Sequence, residues 1–273
     1  RINKKPMPTI GGLAIFVAFN IGEFVLLRKD FPTHELFSVL LASSVIILTG
    51  LIDDILELKP RQKMFGIFVA SLVVYFLAGI KVRELSLPFL GHIQLGWWSF
   101  PLTIFWILAL TNAVNLIDGL DGLATGVTLI SLVTMGIVGF FFLKSWQHYV
   151  PIMCIMLAAC LLGFLPYNFH PAKIFLGDTG ALYIGFMISV LSLKGLKNVT
   201  FVSLLVPILI LGVPITDTVY AMIRRKLNKK NISQADKHHL HHQLMRMGLS
   251  HRQTVLAIYG ISLIFSFVSL LSL

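Results

Sequence analysis

Charge is scarce in this chain. Only 12% of its 273 residues are Asp, Glu, Lys or Arg, and just twelve are acidic, whereas a soluble globular domain carries about 25% charged residues. That shortage, with 56% hydrophobic residues and a mean hydropathy of +0.86, excludes a soluble globular domain and reads as an integral membrane protein. Cysteine is nearly absent. Cys154 and Cys160 share one apolar run, six positions apart, so they neither staple a loop nor complete a thiolate metal site and are read as packing residues. An extended basic soluble domain is also missing: the net charge of +10 is scattered through short loops. No nucleic-acid partner is therefore expected, and a membrane surface and anionic substrates fit the charge better. The opening segment, Arg1 to Pro8, is basic and proline-bearing, which is not the start of a signal peptide.

What is present is a series of apolar runs: 11–27, 37–52, 65–80, 99–116, 123–143, 149–167, 181–193, 201–223 and 253–273. Several are shorter than the ~20 residues of a perpendicular span. The expectation is an all-α polytopic membrane protein with about nine transmembrane helices, forming a single integral membrane catalytic domain over residues 1–273. Alternate loops divide the Lys and Arg residues fifteen to seven. The richer set is assigned to the cytoplasm, which puts the N-terminus inside and the C-terminus outside. Between Lys81 and Trp98 polar and apolar residues alternate around Pro88 to Gly91, predicting a small β-hairpin on the outer face.

The chemistry begins at Thr111 to Ala124, T-N-A-V-N-L-I-D-G-L-D-G-L-A. Asn112, Asn115, Asp118 and Asp121 recur every third residue and so share a helical face, in a helix otherwise built for lipid. An acid at the bilayer centre costs about 2.5–3.5 kcal/mol, which makes such a stripe a functional-site hypothesis. Asp53, Asp54 and Asp178 fall at the same, cytoplasmic ends of other predicted spans, and Asp217 lies inside the eighth run. Asp178 has a second reading as a helix cap, and Asp217 one as a partner of Arg224 or Arg225. Carboxylates 4 Å apart repel by roughly 4 kcal/mol at an effective dielectric of 20, so the cluster calls for a cation. With oxygen donors and no thiolate, Mg²⁺ or Mn²⁺ is favoured over zinc. Mg²⁺ takes few carboxylates and completes its shell with water and phosphate, which predicts a phosphate-bearing substrate.

A second constellation, the loop at 224–252, holds eight Lys or Arg and five His residues. His239, His242 and Arg246 would share a helical face. Anionic headgroups or zinc are alternative partners, and phosphate recognition suits the set better.

Four motifs occur in order: G-L-I-D-D-I-L-E-L-K-P-R-Q-K (50–63), N-A-V-N-L-I-D-G-L-D-G-L-A (112–124), N-F-H-P-A-K-I-F-L-G-D-T-G (168–180) and D-K-H-H-L-H-H (236–242). Together they resemble the polyprenyl-phosphate N-acetylhexosamine-1-phosphate transferases, multi-pass enzymes of the bacterial inner membrane that start cell-envelope glycans such as teichoic acid linkage units or O-antigen. The resemblance implies transfer of a sugar 1-phosphate from a UDP-sugar to undecaprenyl phosphate at a cytoplasm-facing site, with release of UMP and a need for Mg²⁺ or Mn²⁺. It assigns Asp53, Asp54, Asp118 and Asp121 to catalysis and Asp178 and Asn115 to the metal. Lys63, Asn168, His239, His241 and His242 go to substrate binding, and Arg224 and Arg225 join them by charge alone, as cations able to neutralise phosphate. The histidine motif resembles the branch that uses UDP-N-acetylglucosamine, with the muramyl-pentapeptide nucleotide as the alternative donor. The family has one more helix before the segment matching Arg1 to Gly12, so a longer protein is expected; a homodimer is left open. Direct attack by the lipid phosphate, with Asp53 as base, is favoured over a two-step route through an aspartate. An intramembrane aspartyl protease would need glycine where Phe175 stands, and a cation-coupled transporter would need its acids near the bilayer midplane.

Overall fold

The computed structural model describes residues 7–27, 33–87, 91–142, 149–195 and 240–271. In chain order these form α1 (Gly11–Leu26), α2 (Thr33–Leu56), α3 (Pro60–Phe76), β1 (Glu84–Leu87), β2 (Gly91–Gln94), α4 (Ser99–Ile117), α5 (Leu123–Phe142), α6 (Tyr149–Asn168), α7 (Gly177–Gly195), α8 (Leu240–Arg246) and α9 (His251–Leu271). Among the described residues, five helical stretches, 33–56, 96–117, 123–141, 149–168 and 251–271, are long and apolar enough to cross a membrane. The protein is a multi-pass, mainly helical membrane protein. The eighth apolar run, 201–223, lies outside the described residues. β1 and β2 pair antiparallel, from Glu84 opposite Gln94 to Leu87 opposite Gly91.

The bundle is organised around α7. Residues 181–194 are buried on every side, which explains why Ala181 to Leu193 has no polar face to mark it in sequence. The helix also begins four residues before that apolar run, so Asp178 sits in its first turn. It packs against α1, α2 and α4, and α2 in turn packs on α3.

Small residues bring the backbones close where the site will form. A Cβ on Gly50 of α2 would lie 2.4 Å from the Thr179 Cα, and one on Gly12 of α1 would lie 2.2 Å from the Gly180 nitrogen. Either methyl group would push the start of α7 off its neighbours. At the far end, Lys194 of α7 forms an ion pair with Glu35 at the start of α2. α2 and α7 thus run antiparallel with charged contacts at both ends.

Candidate active site

The first wall is the turn from α2 into α3. Pro60 takes the first helical position, where its missing N–H is not needed, and the Gln62 side chain accepts the Lys59 N–H at 2.9 Å. This fixes Lys63 in the first turn of α3. Its Nζ pairs with Asp53 Oδ2, and it donates to Asp178 Oδ1 at 3.0 Å and to Asn115 Oδ1 at 3.4 Å. Lys63 therefore joins three of the four sequence motifs. Asp53 is 5% exposed and its other oxygen accepts the Leu58 N–H at 2.9 Å.

Asp54 points the other way, across to α7. Its Oδ1 accepts the Asp178 N–H at 2.9 Å, and its Oδ2 accepts the Thr179 N–H at 3.1 Å and the Thr179 hydroxyl at 2.7 Å. The cap that sequence assigned as an alternative to Asp178 is thus supplied from another helix. A carboxylate also complements the positive end of α7. Gly177 makes room: its φ of +74° suits glycine, and a Cβ there would meet Asp54 Oδ2 at 2.7 Å. With its backbone held by Asp54, Asp178 turns its carboxylate to Lys63 and to the Asn115 amide, which donates to Oδ1 at 2.6 Å.

The polar stripe ends α4. Asp118 caps its C-terminus, and Gly122 at φ +81° turns the chain into α5. Enclosure within the protein, and then the carboxylates of Asp178, Asp54 and Asp121, push the Asp118 carboxyl up to about 8. Asp121 Oδ2 accepts from His170 Nδ1 at 2.9 Å and from the Ala172 N–H at 3.2 Å, while its own N–H donates to His251 Nε2 at 3.1 Å.

These groups surround a cavity of about 320 Å³ lined by Asp54, Asn115, Asp118, Asp121, Asn168, His170, Phe175, Asp178, Met245 and His251 among others. Asp53 and Lys63 stand behind that lining. Asn168 is 3% exposed, and Thr125 Oγ1 donates to its Oδ1 at 2.7 Å while its Nδ2 donates to the Ile174 carbonyl at 3.1 Å. These bonds join the end of α6 to α5 and to the loop before α7. Arg224, Arg225 and His239 lie outside the described residues. His241 and His242 fall within α8, and their side chains are likewise outside the description.

The pattern described as Glycosyl transferase family 4 matches residues 36–196. The chain belongs to glycosyl transferase family 4. Among its relatives, a probable undecaprenyl-phosphate N-acetylglucosaminyl 1-phosphate transferase of Bacillus subtilis (strain 168) is 46% identical, over 97% of this chain and 73% of that protein. A decaprenyl-phosphate N-acetylglucosaminephosphotransferase of Mycolicibacterium smegmatis is 33% identical, over 94% and 70%. A phospho-N-acetylmuramoyl-pentapeptide-transferase of Clostridium botulinum is 32% identical, over 100% and 84%.

In this family 4 chain the donors around Asp178 suit a hard divalent cation. Asp178 Oδ2 accepts no hydrogen bond among the described residues, and Asp118 shares the cavity with it. A cation there would relieve the crowding that holds a proton on Asp118. Asn115, expected as a second ligand, has its carbonyl turned to Lys63 and its amide to Asp178. Sequence reasoning missed His170 and His251. His170 lay inside a quoted motif and His251 just beyond the histidine run, and only the fold sets their rings face to face, 4.2 Å apart.

Proposed function

We propose that this chain transfers N-acetylglucosamine 1-phosphate from UDP-N-acetylglucosamine to undecaprenyl phosphate, releasing UMP, and that it needs Mg²⁺ or Mn²⁺. The observation that carries the reading is the convergence of Lys63, Asn115 and Asp178 beside one acid-lined cavity. The names of the Bacillus and Mycolicibacterium relatives support the sugar and the polyprenyl acceptor.

In this reading Asp178 Oδ2 and Asp118 hold the divalent cation, which neutralises diphosphate oxygens as a Lewis acid when bound. Asn115 and Lys63 fix the Asp178 carboxylate, Asp53 fixes Lys63, and Asp54 fixes the backbone that carries Asp178. A group needs the right pKa and a place in the cavity to take a proton from the lipid phosphate. Asp118 is taken by the cation and Asp53 stands behind the lining, paired with Lys63, so the lipid phosphate, with a second pKa of about 6, attacks in its ionised form without a protein base. The nucleophile is then the lipid phosphate itself, attacking the β-phosphorus directly. Arg224, Arg225 and the histidines of 239–242 are assigned to neutralising the remaining phosphate charge. The cavity faces the cytoplasm, the hairpin lies on the outer face, and the chain crosses the inner membrane about nine times, N-terminus inside and C-terminus outside.

The deciding assay mixes purified protein with UDP-N-acetylglucosamine, undecaprenyl phosphate and Mg²⁺ and follows UMP. The proposal fails if no UMP appears, or if release is undiminished in Asp178→Asn or after chelation. Parallel reactions with UDP-N-acetylgalactosamine and the muramyl-pentapeptide nucleotide identify the donor.

A further inference from the structure

We propose that Asp121, His170 and His251 form a transition-metal site of their own, suited to Zn²⁺ and separate from the oxygen ligands around Asp178. Each of the three offers one ligand atom, and these atoms all lie within 4.8 Å of one another. They arrive from three places in the fold: the turn between α4 and α5, the loop between α6 and α7, and the first residue of α9. His170 Nδ1 is already 2.9 Å from Asp121 Oδ2. That oxygen is further held by the Ala172 N–H, while Asp121 Oδ1 takes no hydrogen bond among the described residues and keeps its lone pairs.

The donor set decides the class of metal. Two imidazole nitrogens and one carboxylate suit zinc and its neighbours, whereas Mg²⁺ prefers oxygen throughout. Three protein ligands leave a fourth position, as in zinc sites that bind water or substrate, and all three residues line the cavity. Arg252 Nε donates to the His170 main-chain carbonyl at 3.0 Å, which ties the loop that carries this ring to the start of α9.

Loading requires one local change. The two rings are stacked at 18° between planes, so their lone pairs run side by side and do not meet at one point. One imidazole turns about χ2, and His251 Nε2 exchanges the Asp121 N–H for the metal. The bound ion then cross-links the start of α9 to the loops that carry Asp121 and His170.

The test uses the full chain in detergent, stripped with chelator and titrated with Co²⁺ as a visible stand-in for Zn²⁺. One equivalent is expected to bind with d–d bands that Zn²⁺ abolishes and a large excess of Mg²⁺ does not. His170→Ala and His251→Ala should each weaken binding at least about tenfold. Asp178→Asn, and replacement of the histidines at 238, 239, 241 and 242 by alanine, should leave it intact. His170→Cys guards against a folding artefact, because a ligating thiolate adds a charge-transfer band. The proposal is overturned by absent d–d bands, by bands that survive both alanine variants, by their loss in Asp178→Asn or in the 238–242 variant, or by a His170→Cys spectrum without the thiolate band.

Discussion

Replacing Asp54 by Asn separates a capping role from a chemical one. The native carboxylate accepts three hydrogen bonds from the first turn of α7, and hydrogen bonds to a charged group contribute roughly 1.5–3 kcal/mol each. They are not additive, and an amide keeps one acceptor oxygen while turning two N–H donors toward the N–H groups of Asp178 and Thr179. Loss of a helix cap costs about 0.5–2 kcal/mol, and loss of the favourable charge at the helix end adds about 0.3–1 kcal/mol. The expected destabilisation is therefore about 1–3 kcal/mol, or roughly 2–10 °C in melting temperature for a chain of this size. Because the same bonds set the Asp178 backbone, a shift of about 1 Å there would also lower the rate about 100-fold. Thermal unfolding in detergent and the UMP assay, run on one preparation, measure both. A variant that loses activity but melts like the wild type would refute the capping argument and return Asp54 to direct chemistry.

Other substitutions follow from the same geometry. Lys63→Met leaves Asp53 buried without its counter-charge and should cost about 3–5 kcal/mol in denaturant unfolding; adding Asp53→Asn should restore much of that stability but not activity. Asp118, with its carboxyl near 8, binds a proton in the folded protein between about pH 4 and 8 where the unfolded chain does not. Metal-free stability should accordingly fall as pH rises through that window and level off above it, and Asp118→Asn should flatten the trend in pH-dependent melts. Over the same range apparent Mg²⁺ affinity should rise with pH, with a proton released on binding that calorimetry in buffers of different ionisation heat detects. Gly50→Ala places a methyl group against the Thr179 backbone and should destabilise by about 1–3 kcal/mol, read from the same unfolding curves.

Much of the fold was legible because lipid imposes a simple rule on composition: apolar runs had to be helices, and each such run among the described residues is one. Lengths were less legible, since the ends of membrane helices carry polar residues for functional reasons; α7 gained Gly177 to Gly180 this way. The meeting of Asp53, Asn115 and Asp178 could be anticipated from the loop charges, which assign the ends of their apolar runs to one side. Which of them face the cavity could not. Neighbours in sequence, Asp53 and Asp54 turn to different partners, a matter of side-chain direction that no spacing encodes. Asn168 shows the same limit: the motif marked it as important, and only packing reveals that its amide is bonded to Thr125 and Ile174. His170 and His251, 81 positions apart, become neighbours solely through the return of α9 to the bundle.

The charged contacts at both ends of α2 and α7 have a mechanical consequence. Asp54 is bonded to the beginning of α7 while Glu35, near the other end of α2, pairs with Lys194. A slip of one helical turn, about 5.4 Å, would break both contacts at once and leave charges stranded inside the bundle. The two helices therefore act as a rigid strut of fixed register. Any motion that the proposed transfer requires is then left, among the described residues, to the segments around the strut: the loop from Phe169 to Leu176 and the junction of α8 with α9.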